Sequence, residues 1–144
     1  MPRKTIIALA IATLAGIASV PASANDVFLE QFGFGNQAGG VQSGFGNVIG
    51  VYQNGIINGA VSEQYGNGNT AAIGQEGINN YGETWQNGNG NAAGVGQFGT
   101  DHNSIISQDG NGNVAAGVQV GHGCSAGVSQ TGAGNVAAFV QACP

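Results

Sequence analysis

Primary amides are the side chains of this sequence whose type and spacing could do chemistry. Glutamine recurs at every eleventh position without a break, at Gln31, Gln42, Gln53, Gln64, Gln75, Gln86, Gln97, Gln108, Gln119, Gln130 and Gln141. Glycine follows each of the first ten by two positions. A primary amide both donates and accepts hydrogen bonds, so stacked glutamines can bond to one another along the stack. The spacing therefore predicts hydrogen bonding between repeats.

Asparagine marks the opposite end of most of the eleven-residue units. Alternate units carry Gln-x-Gly-x-Gly-Asn, which makes the true period 22 residues and gives repeats at 36–57, 58–79, 80–101, 102–123 and 124–144. Self-similarity at a fixed period indicates a stacked architecture. We expect the amide ladders to consist of Gln42 to Gln141 from the set above, together with Asn36, Asn47, Asn58, Asn69, Asn80, Asn91, Asn113 and Asn135.

Each unit has the two-residue alternation of a β-strand. Asn47, Ile49, Val51 and Gln53 share one face, which we predict to be the interior, with glycine at the bends. Glycine supplies 28 of 144 residues, so a conventional apolar core is ruled out and the backbone and amide bonds must carry the stability. We predict an all-β fold, a two-sheet β-solenoid or cross-β stack of five 22-residue strand-turn-strand repeats.

The first 24 residues are typical of a secretory signal peptide. Arg3 and Lys4 precede an apolar run, and Ala22-Ser23-Ala24 provides a cleavage site before a short lead-in at 25–35. A membrane anchor is the less favoured alternative, because the run is short and rich in alanine. Arg3 and Lys4 are the only basic residues, so their removal takes the formal charge from -5 to -7 and argues against nucleic-acid binding.

The motif Gln-x-Gly-x-Gly-Asn-x-Ala-x-x-x-Gln, in register over 36–141, resembles the curlin repeat, and the whole chain resembles a curli fibre subunit. The resemblance implies a secreted, extracellular amyloid (a fimbrium on the bacterial cell surface) that serves biofilm matrix, surface adhesion and aggregation. The implied partners are further copies of the chain, a nucleating curlin subunit, an outer-membrane secretion pore and a periplasmic chaperone. The chain departs from the family where serine usually opens a repeat, at Asn36, Asn58, Asn80, His102 and Cys124.

Other functions are less favoured. A minor, nucleating curlin subunit is one alternative, and a monomeric secreted solenoid that binds a surface is another, although no Thr-x-Thr array is present. We expect no enzyme, cofactor or small-molecule substrate, because no nucleophile–base–orienter set occurs. His102, His122 and Cys124 suggest a metal site, but substitution at permissive turn positions is the favoured interpretation. Cys124 and Cys143 could form a disulfide or remain free thiols, and both alternatives stay open.

Overall fold

The computed structural model describes residues 25–144, and the predicted signal peptide at 1–24 lies outside them. Within the described residues no helix is long and apolar enough to cross a membrane. The regular structure of these residues consists of strands β1 (Asp26–Phe34), β2 (Gln37–Ser43), β3 (Val48–Ile56), β4 (Gly59–Tyr65), β5 (Thr70–Ile78), β6 (Tyr81–Asn87), β7 (Ala92–Thr100), β8 (Asn103–Asn111), β9 (Val114–His122), β10 (Ser125–Ala133) and β11 (Val136–Cys143).

The strands alternate between two parallel sheets as the chain winds forward. The odd-numbered strands form a six-stranded sheet in the order β1-β3-β5-β7-β9-β11, and the even-numbered strands form a five-stranded sheet in the order β2-β4-β6-β8-β10. Each residue pairs with the residue 22 positions later, as Gln53 does with Gln75. The predicted all-β, two-sheet solenoid with a 22-residue period is confirmed.

Side chains of complementary size from the two sheets fill the space between them. A Cβ atom added to Gly82 would lie 2.9 Å from Cγ2 of Ile73, and one added to Gly40 would lie 3.1 Å from Cδ1 of Ile49. The larger side chains of the six-stranded sheet thus occupy room that glycines of the other sheet leave open. The face predicted to be the interior is confirmed, because its members are all buried: Asn47, Ile49, Val51 and Gln53.

The turns of both sheets have the same backbone shape. After each ladder glutamine, the second and fourth residues have positive φ at ten successive turns, from Gly33 and Gly35 to Gly132 and Gly134. Glycine fills most of these sites because L side chains rarely adopt that conformation. Ile57 has a φ of 58° at one of them, a strained conformation for a β-branched residue. The two half-repeats are therefore equivalent in backbone geometry.

Residues of the predicted lead-in form a complete strand. β1 pairs with β3 over its whole length, from Asp26 opposite Val48 to Phe34 opposite Ile56. Its core-facing Val27 and Leu29 are 49% and 47% exposed, because no strand lies on the other side of β1. The solenoid thus begins with an uncovered apolar edge.

Candidate functional site

Two continuous ladders of glutamine amides run along the solenoid axis. In the six-stranded sheet, Nε2 of Gln53 donates to Oε1 of Gln75 at 2.7 Å. In the five-stranded sheet, Nε2 of Gln64 donates to Oε1 of Gln86 at 2.7 Å. The same bond joins every successive pair from Gln31 to Gln141 and from Gln42 to Gln130, at distances of 2.6 to 3.0 Å. Each repeat is thereby bonded to the next through side chains as well as backbone.

A second bond fixes the direction of every ladder amide from Gln42 to Gln141. Nε2 of Gln53 also donates to the backbone carbonyl of Gln37 at 3.0 Å, across the core in the other sheet. Nε2 of Gln64 does the same to Val48 at 3.0 Å. A carbonyl can only accept, so the amide nitrogen must lie on that side and the amide oxygen must accept from the preceding repeat. Both ladders therefore run with one polarity, donors pointing towards the C-terminal end.

Asparagine ladders secure the bends at both ends of the strands. Oδ1 of Asn47 accepts the backbone N–H of Asn69 at 3.0 Å, and its Nδ2 donates to the carbonyl of Gly66 at 2.8 Å. Asn58 makes the equivalent bonds in the other column, to the N–H of Asn80 and the carbonyl of Gly77. Because a buried amide is costly unless paired, these bonds penalise any slip of one repeat against the next.

The predicted site residues lie in these columns, and burial falls only at the two ends. Gln53, Gln64, Gln75, Gln86, Gln97, Gln108, Gln119 and Gln130 are buried, as are Asn47, Asn58, Asn69, Asn80, Asn91 and Asn113. Asn36, Gln42 and Gln141 are half-buried and Asn135 is exposed, because each lies in a terminal repeat.

Sequence reasoning missed two parts of this network. Asn25 starts one ladder, because its Oδ1 accepts the N–H of Asn47 at 2.9 Å. A further, exposed ladder joins Asn67 to Asn89 and Asn89 to Asn111 through bonds of 3.0 Å. The signal for the second ladder was present as Gly-Asn-Gly-Asn in three successive repeats.

His102 takes the place of an asparagine inside one of the bends. Its side chain is buried, its Nδ1 accepts the backbone N–H of Cys124 at 3.1 Å, and its Nε2 lies 3.2 Å from the carbonyl of Phe98. These partners require the neutral ring with hydrogen on Nε2, which reproduces the acceptor and donor of an asparagine amide. Position 102 therefore accepts histidine in place of asparagine without loss of either ladder contact. Within residues 25–144 no three metal-binding side chains converge.

Cys124 and Cys143 form a disulfide at the C-terminal end, with Cα atoms 5.7 Å apart and a sequence separation of 19. The same separation of 19 joins Nδ2 of Asn58 and Asn80 to the glycine carbonyls of the next bend. The bridge therefore replaces a ladder hydrogen bond with a covalent one and ties β11 to the start of β10.

Reduction of this bridge is expected to lower the free energy of unfolding of the monomer by about 3 kcal/mol. The bridge closes a loop with a sequence separation of 19, and so it reduces the conformational entropy of the unfolded chain. Urea unfolding with and without a reductant measures the difference. The double variant Cys124→Asn and Cys143→Gly restores the ladder residue types and should lose less stability than Cys124→Ser and Cys143→Ser. Equal losses in the two double variants would contradict the ladder interpretation of this position.

Ionisation of Tyr81 makes the stability of the fold depend on pH in the alkaline range. Its hydroxyl donates to Oε2 of Glu83 at 2.9 Å, and burial, followed by this hydrogen bond and the carboxylate charge, raises the pKa of Tyr81. The unfolded chain loses this proton near pH 10, before the folded chain does. The Tyr81 contribution to the free energy of unfolding is therefore complete below about pH 10 and is lost as the pH rises through the folded pKa. Tyr81→Phe should flatten the alkaline part of a stability profile, and an unchanged slope would contradict this assignment.

Both ends of the solenoid leave the ladders open. At the N-terminal end, Oε1 of Gln31 and Oε1 of Gln42 have no donor within the described residues, and at the C-terminal end Gln130 and Gln141 have no later glutamine to receive an Nε2 hydrogen. The backbones of the edge strands are likewise unpaired on their outer sides. An open sheet edge is a template for another strand.

The curlin associated repeat is the family model that matches this sequence, over residues 77–110. The matched stretch lies in the middle of a β-solenoid whose other repeats keep the same register. Over this stretch the chain is similar to curlin repeats. Among curated proteins, none matches the chain significantly. The matched residues include part of the amide ladders described above, whose recurring glutamines fix the register of one repeat on the next.

Proposed function

We propose that this protein belongs to the curlin family and is the fibre-forming subunit of an extracellular amyloid that contributes to biofilm matrix, surface adhesion and cell aggregation. Copies add to one another through the edge strands at the two ends of the solenoid, and the Gln and Asn columns named above continue from one copy to the next. Export through an outer-membrane pore, a periplasmic chaperone and a nucleating subunit complete the proposal, by analogy with the family.

The observation that carries the proposal is the pair of unfinished ends. A solenoid that functions as a monomer needs caps, since open parallel edges associate. In residues 25–144 neither terminal strand is covered by another element, and β10 and β11 contain no charged residue. Low charge and unbroken strand pairing favour stacking of identical copies. Assembly therefore satisfies the backbone groups and amides that the monomer leaves open.

Seeded polymerisation tests this function. Purified residues 25–144 should show a lag in thioflavin fluorescence that preformed fibre fragments abolish, because the fragments supply ready edges. Soluble monomer that keeps its β structure in the presence of seeds would overturn the proposal and favour a monomeric surface-binding solenoid.

A proline at the C-terminal edge provides a control for where growth occurs. The N–H of Val114 donates towards the later repeat, to the carbonyl of Asn135 at 2.8 Å. By strand alternation, the N–H of Val140 in β11 points away from β9, where no strand of this chain lies. Val140→Pro should therefore fold yet cap a growing end, so that a minor fraction of it slows elongation of the unmodified chain. Unchanged elongation would show that growth does not use this edge.

A further inference from the structure

The two sheets contain unequal numbers of strands. Six strands lie in one sheet and five in the other, so β11 has no neighbour at its own level in the five-stranded sheet. The inward-facing Ala137, Phe139 and Gln141 are only half-buried in consequence. Suppose that a second copy stacks directly, so that its β1 pairs with β11 of the first copy. Its β2 then lies in the same sheet as β10 of the first copy, but one strand position between these two strands stays vacant. The backbone groups along both sides of that vacancy would then lack partners.

The backbone allows a second arrangement, because the two half-repeats are equivalent. From Gln42 to Gln141, every ladder glutamine bonds to a carbonyl 16 residues earlier, whichever sheet it lies in, as Gln53 does to Gln37 and Gln64 does to Val48. Both kinds of turn also carry positive φ at the same two positions, as at Gly66 and Gly68 or at Gly121 and Gly123. Half a turn about the axis therefore places each sheet on the geometry of the other.

Ladder polarity selects head-to-tail contact. The C-terminal end presents Nε2 groups of Gln130 and Gln141, and the N-terminal end presents Oε1 groups of Gln31 and Gln42. Two ends of the same kind would place donor against donor or acceptor against acceptor, whereas unlike ends match. The partner that fits either end is the opposite end of the same chain.

We propose that successive copies in the fibre are related by a half-turn, so that β1 of one copy joins the five-stranded sheet of the copy before it. β1 then pairs with β10 and lies opposite β11, Gln31 continues the ladder of Gln130, and β2 pairs with β11. The inference rests on the proposed function and adds the geometry of the junction.

The half-turn leaves no vacant position and covers the apolar edge of β1. Val27 and Leu29 of the second copy come beside Ala126 and Val128 of the first and face the inner side of β11. Each copy advances the fibre by eleven half-steps, or about 26 Å at the usual strand spacing, and the six-stranded sheet alternates between the two fibre faces. The fibre therefore presents both outer surfaces on each side.

Cross-linking between differently labelled chains identifies the junction. In the half-turn arrangement Glu30 of one copy lies beside Ser129 of its neighbour, whereas direct stacking puts it beside Val140. Glu30→Cys chains are mixed with Ser129→Cys chains or, as the matched control, with Val140→Cys chains. Seeded fibres are then treated with a short bismaleimide and dissolved for electrophoresis. The native Cys124–Cys143 bridge stays oxidised throughout.

We expect cross-linked dimers from Glu30→Cys with Ser129→Cys and no dimers from the control pair. Dimers from Glu30→Cys with Val140→Cys would establish direct stacking and overturn the half-turn. A third pair, Val41→Cys with Ser129→Cys, cross-links where β2 of the second copy lies in the same sheet as β10, either beside it or across a vacant position, and such dimers would also overturn the half-turn. Fibres without any of these dimers contradict the proposal as well. Failure of the unmodified chain to form fibres would instead defeat the proposed function.

Discussion

Gly77→Ala is expected to destabilise the folded chain by about 3 kcal/mol or more. Gly77 has a φ of 132°, and a Cβ atom there would overlap the carbonyl oxygen of Gly99 in the next repeat. The obstacle is backbone, which cannot move without separating the two repeats. Chemical denaturation followed by circular dichroism measures the loss, and the variant should also add poorly to wild-type seeds.

Gly94→Ala is the matched control for this substitution. Gly94 lies on the outer face of β7, its φ is not positive, and no heavy atom lies within 4 Å of the position that a Cβ would take. Alanine there reduces the freedom of the unfolded chain without any clash, so stability should stay equal or rise by about 0.4–1 kcal/mol. Similar losses in both variants would mean that generic glycine content, and not the close stacking of the bends, supports the fold.

Gln86→Leu is expected to have an effect of comparable size through the ladder itself. Nε2 of Gln86 donates to Oε1 of Gln108 at 2.9 Å and to the carbonyl of Thr70 at 3.1 Å, and Oε1 accepts from Gln64 at 2.7 Å. Leucine fills similar space but leaves these buried partners unpaired, at about 1–3 kcal/mol for each orphaned group. The free energy of unfolding should therefore fall by roughly 3 kcal/mol or more.

Gln37→Leu makes the same chemical change on the exposed face of β2. It should alter stability by less than about 0.5 kcal/mol. Gln86→Glu keeps the shape of the side chain but changes its hydrogen bonding. An ionised carboxylate can only accept, so it would be repelled by Oε1 of Gln108, whereas the protonated acid can donate a hydrogen bond to that oxygen. Its stability should improve on acidification relative to the unmodified chain. Equal tolerance of leucine at positions 37 and 86 would show that the ladder contributes little.

The strict 22-residue period of the sequence is sufficient to predict most of the fold. Gln and Asn at fixed offsets defined the strands, the bends and the interior face, because side-chain alternation leaves only one face for residues such as Asn47 and Gln53. β1 lies in the segment predicted to be a short lead-in, although Asn25 and Gln31 have the same spacing as Asn47 and Gln53 and pair in the same register.

Other details depend on three-dimensional contacts that no period encodes. His102 appeared to be a tolerated turn residue, but an imidazole can supply the same acceptor and donor as the asparagine it replaces. The glycines that receive Ile49 and Ile73 lie on the opposite sheet, so their pairing depends on how the sheets face each other. Cys124 and Cys143 lay within reach in the repeat frame, yet reach alone did not distinguish a bridge from two thiols.

Diffraction from aligned fibres of residues 25–144 tests the central claim most directly. If folded solenoids stack end to end with their strands across the fibre, the pattern will show a meridional reflection at about 4.7–4.8 Å and an equatorial sheet-packing reflection near about 10 Å. Gly94→Ala fibres should give the same pattern. Fibres that lack the meridional reflection, or that place it on the equator, would contradict growth by strand addition along the solenoid axis.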